Sequence, residues 1–168
     1  MLYKNTNKEE ALEDLYNQHI DSVYRVCFSY LKNKADTEDA VQDTFLRAIQ
    51  HIDEFTSQSH ARAWLIVTSS NICKNMLKSW IRKQRSELSD WEEIDIIEHP
   101  SNKEESQVLS VLLNLPDKYK TPLYLFYYEE YSCQEIAQAM QKKESTVRSL
   151  LRRGRLIMKK RLGGDFDE

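Results

Sequence analysis

Apolar positions recur at helical spacing from the start of the chain. Around LYNQHIDSVYRVCFSYL, residues Leu12, Leu15, Tyr16, Ile20, Val23, Tyr24, Cys27, Phe28 and Leu31 follow an i, i+3/i+4, i+7 rhythm, which predicts an amphipathic helix. The polar run KNKAD predicts a loop. Asp36 then stands where it can cap the free amides of a second helix, TEDAVQDTFLRAIQHI, with Glu38 and Asp39 in its first turn favoured by the helix dipole. Ala40, Val41, Thr44, Phe45, Ala48 and Ile52 form its predicted buried side, and Asp39, Gln42, Asp43 and Arg47 a polar, acidic face. After the loop EFTSQSH comes ARAWLIVTSSNICKNMLKSWIRKQR, on which Ala63, Trp64, Val67, Ser70, Asn71, Lys74, Lys78 and Arg82 recur at helical spacing.

The last third repeats the helical theme around different punctuation. SVLLNLPDKYKTPLYLFYYEEY is rich in Leu, Tyr and Phe and should supply a second core; Thr121-Pro122 either starts a helix there or bends one. Ser132 and Glu135 in SCQEIAQAM have the spacing of a capping box. QKK makes a short turn, and ESTVRSLLRRGRLIMKKRL is a second helix beginning near Glu144 or Ser145. Two short helices across a tight turn, the second strongly basic, form a helix-turn-helix pattern. On that second helix Val147, Leu150, Leu151, Gly154 and Met158 can face the core, with Leu150 at the edge of the stripe.

Composition agrees with helix throughout. Only three glycines and three prolines interrupt 168 residues dominated by helix formers, so the expected fold class is all-α. No apolar run approaches the roughly 18 to 20 residues that span a bilayer, and MLYKNTNKEE lacks the apolar stretch of a signal peptide, so a cytosolic protein is expected. Cys27, Cys73 and Cys133 are far apart and odd in number, which fits reduced thiols in the core. His19, His51, His60 and His99 have no metal-binding spacing, and no catalytic constellation, cofactor motif or small-molecule site is evident.

Charge changes the picture because it is unevenly placed. The net charge is -3, yet residues 1–85 carry 12 basic and 11 acidic side chains, residues 86–106 one and eight, and residues 107–162 eleven and five. The tail GGDFDE adds three negatives. Fields between exposed charges are screened beyond about 8 to 10 Å, so the cationic block acts locally despite the acidic total. The expected organisation is therefore two small helical domains, 1–85 and 107–168, joined by an acidic linker, 86–106, with a short ordered piece around Trp91, Ile94 and Ile97; the second is a helix-turn-helix domain.

Chemistry follows from these faces. An aromatic, an amide and cations on neighbouring turns (Trp64, Asn71, Lys74, Lys78) suit unpaired nucleic acid: a ring to stack a base, an amide to read its edge, cations for phosphates. Thr146, Arg148, Ser149, Arg152, Arg153 and Arg155, left outward on the last helix, suit phosphates and guanine edges in a major groove. A helix-turn-helix regulator acting unaided, or a helical protein whose arginines bind an acidic partner, would use the same face.

Three collinear segments decide for a family resemblance. TEDAVQDTFLRAIQHIDEF, AWLIVTSSNICKNMLKSW and LLNLPDKYKTPLYLFYYEEYSCQEIAQAMQKKESTVRSLLRRGRLIMKK resemble successive segments of sigma factors of the extracytoplasmic-function type, of the sigma-70 family. The resemblance implies a transcription initiation factor, not an enzyme, that joins core RNA polymerase and promoter DNA, often in stress responses. Asp39, Gln42, Asp43, Phe45 and Arg47 would lie on or support the surface docked on the clamp helices of the largest polymerase subunit, with a further contact at the flap region. Trp64 and Asn71 would flank the pocket for a flipped base of the minus ten element, aided by Lys74 and Lys78. The Phe55 to His60 loop, with Ser59 and His60, would choose that base. Ser132, Ser145, Thr146, Arg148, Ser149, Arg152, Arg153 and Arg155 would serve the minus thirty-five element. An anti-sigma factor, often membrane-bound, is the further partner implied. Val67, Ser70 and Leu150 stand where the family often has arginine, Gln141 replaces a turn glycine, Lys142 an apolar residue and Gly154 an alanine.

Overall fold

The computed structural model describes residues 1–87 and 107–163; the linker 86–106 therefore lies almost wholly outside the described residues, as does the piece expected around Trp91. Every regular element among the described residues is helical. The chain divides into two units, Met1–Pro100 and Ser101–Glu168.

In the first unit α1 (Lys8–Leu31) packs against α2 (Lys34–Gln50) and α3 (Gln58–Glu87), and α2 also packs on α3. Asn7 starts α1 by accepting the Glu9 amide at 3.2 Å, and Lys32, left-handed at φ 61°, ends it. The helix sends Leu15, Val23, Val26, Cys27, Tyr30 and Leu31 inward. The expected cap of α2 needs correction: Asn33, not Asp36, stands outside the helix, and its side chain accepts the Asp36 amide at 2.9 Å. Asp36 lies within the first turn, where the dipole still favours it. Ala40, Val41, Thr44, Phe45 and Ala48 of α2 are buried, as is Ile52 in the 3-10 turn Ile52–Glu54 that follows. Ser57 opens α3 by accepting the His60 amide at 3.0 Å.

One expected stripe of α3 splits. Ala63, Val67 and Ser70 are buried, while Trp64 and Lys74 are half-buried and Asn71 and Lys78 exposed. Buried hydroxyls are satisfied within their own helices: Ser70 donates to the Ile66 carbonyl at 2.6 Å and Thr44 to that of Ala40 at 2.7 Å. Polarity at these positions therefore does not mark the surface.

The second unit is built on α4 (Gln107–Leu113), α5 (Asp117–Leu123), α6 (Cys133–Met140) and α7 (Glu144–Leu162), with α7 packed on the other three. Leu109, Leu112, Leu113, Leu115, Tyr119, Leu123, Tyr124 and Leu125 meet Ile136, Val147, Leu151 and Met158 in its core. Each such apolar side chain contributes about 1.5–3 kcal/mol by leaving water. Pro122 lies inside α5, and the chain widens directly after it into a π-turn, Tyr124–Tyr128, whose Tyr124 carbonyl accepts from the Glu129 amide at 3.2 Å. Lys120 is buried along its stem, with Nζ 3.9 Å from Asp117 Oδ1. Arg161 ties the end of α7 to the Asn114 carbonyl at 2.6 Å. Cys27 and Cys73 are buried free thiols, as expected; Cys133, opening α6, is only half-buried.

Between α6 and α7, Gln141 takes the left-handed conformation, φ 53° and ψ 44°. That conformation costs a non-glycine residue about 1 kcal/mol. Gln141→Gly is expected to raise stability by about 0.5 kcal/mol, after the greater freedom of an unfolded glycine is deducted; urea titration of the full chain checks it.

Candidate nucleic-acid interface

Six aromatic and polar side chains converge where α2 ends beside α3. Trp64 lies with its ring centroid 5.1 Å from that of His51 and 5.4 Å from that of buried Phe55. Trp64 and Asn71 line one open cleft of about 470 Å³ together with Arg47, Gln50, His51 and Thr68. The cleft offers a π face, an amide, a hydroxyl and a guanidinium, a set that can stack a base, read its edge and meet a phosphate. Lys78 is exposed further along α3, and Lys74 lies half-buried with Nζ 6.0 Å from the Tyr30 ring centroid. Ser59 and His60 are exposed at the start of α3, outside the cleft lining. Phe55 links the two places, because its ring also meets His60 edge-on at 5.7 Å. His60 Nδ1 accepts the Thr56 amide at 3.2 Å, which leaves the ring hydrogen on Nε2.

Along the other side of α2, Asp39 and Gln42 are exposed and Asp43 half-buried, with Arg47 paired to Asp43 at 3.1 Å. Phe45 is buried and packs its ring 4.9 Å from Tyr16, so it supports this face from beneath. An apolar groove of about 450 Å³ between α1 and α2, lined by Tyr16, Phe45 and exposed Leu46 among others, adjoins Gln42. Arg47 thus touches both the acidic face and the Trp64 cleft. Gln50, His51 and Thr68 escaped the sequence reading; Gln50 and His51 follow Arg47 at i+3 and i+4, the signal that would have found them.

In the second unit Ser132 and Glu135 close the capping box: the Ser132 amide donates to Glu135 Oε2 at 2.8 Å, and the Glu135 amide donates to Ser132 Oγ at 3.2 Å. Hydrogen bonds to the carboxylate from the Ser132 amide and then from the Ser132 hydroxyl hold the Glu135 carboxyl below its usual range. Helix α7 then exposes Ser145, Thr146, Arg148, Arg152, Arg153 and Arg155, with Ser149 half-buried. Lys143 caps α7 without a side-chain bond, so the first amides of the helix remain open to an anion. Glu144 orients Arg148, accepting from Nε at 3.2 Å, and its hydrogen bonds push the guanidinium further into the charged range. Arg155 lies over both Phe126 and Tyr127, 5.6 Å from each ring centroid. These two contacts hold the guanidinium against the π-turn, which the helical spacing alone did not indicate.

A capped helix, a tight turn and a basic outward helix define a DNA-binding protein of the helix-turn-helix class. Residues 15–86 match the model of Sigma-70 region 2 and residues 105–158 that of Sigma-70, region 4. The chain belongs to the sigma-70 family, as a sigma factor of the extracytoplasmic-function type that directs promoter-specific transcription initiation by core RNA polymerase. It is 28% identical over 157 residues to the ECF RNA polymerase sigma factor SigM of Bacillus subtilis, covering 89% of this chain and 93% of that one. With SigW of the same organism it shares 28% over 172 residues, 92% and 90% of the two chains. Its fold matches that of the sigma factor RpoE in a complex with the anti-sigma factor NepR from Bartonella quintana, with a TM-score of 0.71, 19% identity, and 92% and 98% of the chains covered. CnrH, solved with the cytosolic domain of CnrY, matches at a TM-score of 0.59 and 19% identity, over 94% and 91%. Among the described residues no helix is long and apolar enough to cross a membrane, and no His, Cys, Asp and Glu cluster is placed to hold a metal ion.

Proposed function

We propose that the sigma factor divides its work between its two units. Asp39, Gln42, Asp43 and Arg47, supported by Phe45, dock on the clamp helices of the largest polymerase subunit, and the second unit meets the flap region. Helix α7 enters the major groove at the minus thirty-five element, with Thr146, Arg148, Ser149, Arg152, Arg153 and Arg155 toward DNA and Ser132 and Ser145 at the backbone. The Trp64 cleft, with Asn71, Lys74 and Lys78, takes an unpaired base of the minus ten element, and the Phe55–His60 loop, through Ser59 and His60, chooses it. Melting is favoured by differential binding: the cleft has an occupant only when the strand is open. The chain holds no active site of its own; the polymerase performs the chemistry. The observation that carries this reading is the exposed basic face of α7 directly behind a capped α6.

The protein acts in the cytosol, and an anti-sigma factor, on occasion tethered at the membrane, masks it. RpoE was solved with the anti-sigma factor NepR, and CnrH with the cytosolic domain of CnrY. Run-off transcription with core polymerase on genomic fragments tests the reading; absence of promoter-specific transcripts overturns it.

Arg148→Ala and Arg153→Ala are each expected to weaken binding to the upstream element about thirtyfold, the worth of one good bidentate base contact. Binding isotherms across point-substituted duplexes separate two roles. Lost discrimination at one base pair marks base reading, whereas uniform weakening with a salt slope reduced by about one unit marks a phosphate contact.

A further inference from the structure

The segment ahead of α1 is fastened to the loop that opens α3. The Leu2 amide donates to the Phe55 carbonyl at 2.8 Å. Tyr3, buried, donates its hydroxyl to Asp14 Oδ2 on α1 at 2.7 Å and accepts from Gln58 Nε2 at 3.1 Å; that amide also donates to Asp14 Oδ2 at 3.3 Å. Gln18 completes the carboxylate's partners, donating to Oδ1 at 2.8 Å. A carboxylate only accepts, so the Gln58 nitrogen faces Asp14 and its oxygen faces His19. His19, 1% exposed, stands with Nε2 2.9 Å from that oxygen, and Nε2 therefore carries the hydrogen.

These bonds join three stretches of chain at Gln58, the first residue of α3; the stretch expected as a loop from Phe55 to His60 is therefore helical from Gln58 onward. Thr56, Ser57, Ser59 and His60 are exposed, with Thr56, Ser57 and His60 bonded among themselves, while Phe55 is buried and Gln58 half-buried, so Phe55 and Gln58 are the positions through which the Phe55–His60 stretch is anchored to the segment ahead of α1. Both are held by the segment ahead of α1, Phe55 through its carbonyl and Gln58 through Tyr3. Burial and then the bond to Asp14 push the Tyr3 hydroxyl up to about 12, so it remains a donor at every physiological pH. The Tyr3 and Gln18 donors hold Asp14 below the usual carboxylate range. Its contribution to folding is therefore present above the unfolded value and lost as pH falls through the depressed one.

We infer that Tyr3, with Asp14 and Gln58, is a positioning device for the base-selecting loop, setting which unpaired base the minus ten site accepts. The inference rests on the reading that the Phe55–His60 loop selects that base. A hydrogen-bonded base edge discriminates only when its partners are held to within about 0.5 Å; bonds inside the Phe55–His60 stretch set its local shape, and anchors outside it set where that shape stands.

The test is run-off transcription by core polymerase with the full chain on promoters randomised across the minus ten element, with the transcripts sequenced. Tyr3→Phe keeps the ring and deletes the shared hydroxyl; Gln58→Ala deletes the amide. Each is expected to lower discrimination at one minus ten position about tenfold, and the double variant to add little, because both break one network. His60→Ala probes the loop itself. If His60→Ala alters base preference and neither Tyr3→Phe nor Gln58→Ala does, the positioning role is overturned and the loop reading stands. If none alters it, the loop reading fails and takes the inference with it. A uniform fall in transcription from every sequence, matched by a lower melting temperature, reduces Tyr3 to a structural part and also overturns the inference.

Discussion

Asp43→Arg is expected to lower affinity for core polymerase about a hundredfold, roughly 3 kcal/mol. Asp43 sits half-buried on α2 with Arg47 Nη2 3.1 Å from its carboxylate. As a surface pair it adds under about 1 kcal/mol to folding, so reversal should leave the unit intact. Its effect falls on docking: an acidic face gains a cation, and Arg47 loses the group that holds it. Fluorescence-detected association with core enzyme measures the loss. Affinity of the same full chain for an upstream-element duplex should stay within about twofold, since that duplex is proposed to meet only the second unit. Equal loss on both measurements refutes the docking assignment for this face.

The parts of the fold that were legible in sequence are those set by neighbours on one helix. Thr44, Phe45 and Ala48 lie on the inner side of α2 as their spacing implied, and Ser132 with Glu135 makes both bonds of the capping box. Where two residues compete for one local role, spacing could not choose. Asn33 and Asp36 are both good caps; the earlier one won because its side chain reaches the Asp36 amide from outside the helix. Ser70 shares the helical register of Trp64 and Asn71 on α3 yet is buried, because spacing gives an angle but not the edge of the buried arc, and a hydroxyl can satisfy itself on Ile66.

The site divided along the same line. Basic side chains on α7 were visible because they cluster within one helix, whereas the Trp64 cleft needs residues from the end of α2 that only tertiary packing brings to it. Nothing local could reveal that His19 and Gln58, 39 positions apart, share a hydrogen bond. Arg155 illustrates the boundary: its exposure followed from the helix, but its aromatic supports lie in the π-turn after Pro122.

Gly154→Leu is expected to destabilise the second unit by about 3 kcal/mol or more. Helix propensity alone argues the opposite, since glycine inside a helix costs about 1 kcal/mol relative to alanine. Packing reverses the sign. A Cβ at position 154 would stand 2.6 Å from Leu123 Cδ1 and 2.9 Å from Cδ2, and Leu123 is fully buried at 0% exposure, so its methyls have little room to retreat. Gly154→Ala sets about 1 kcal/mol of helical gain against an overpacking cost of about 1–3 kcal/mol, for a smaller net loss. Adding Leu123→Ala to Gly154→Ala should recover part of that deficit, because the new methyl occupies some of the space that Leu123→Ala vacates; strict additivity of the two changes would disprove the contact. Native-state hydrogen exchange on the full chain provides the readout. Amides of α5 and α7 should lose protection by the full deficit while those of α1 and α3 keep theirs. All three tryptophans, Trp64, Trp80 and Trp91, precede the second unit, so their fluorescence is an internal control. The same close approach lets α7 lie directly on α5, and so fixes the helix whose outer face carries Arg148, Arg152 and Arg153. Upstream-element binding should consequently fall with the stability of this unit, whereas association through the α2 face should not.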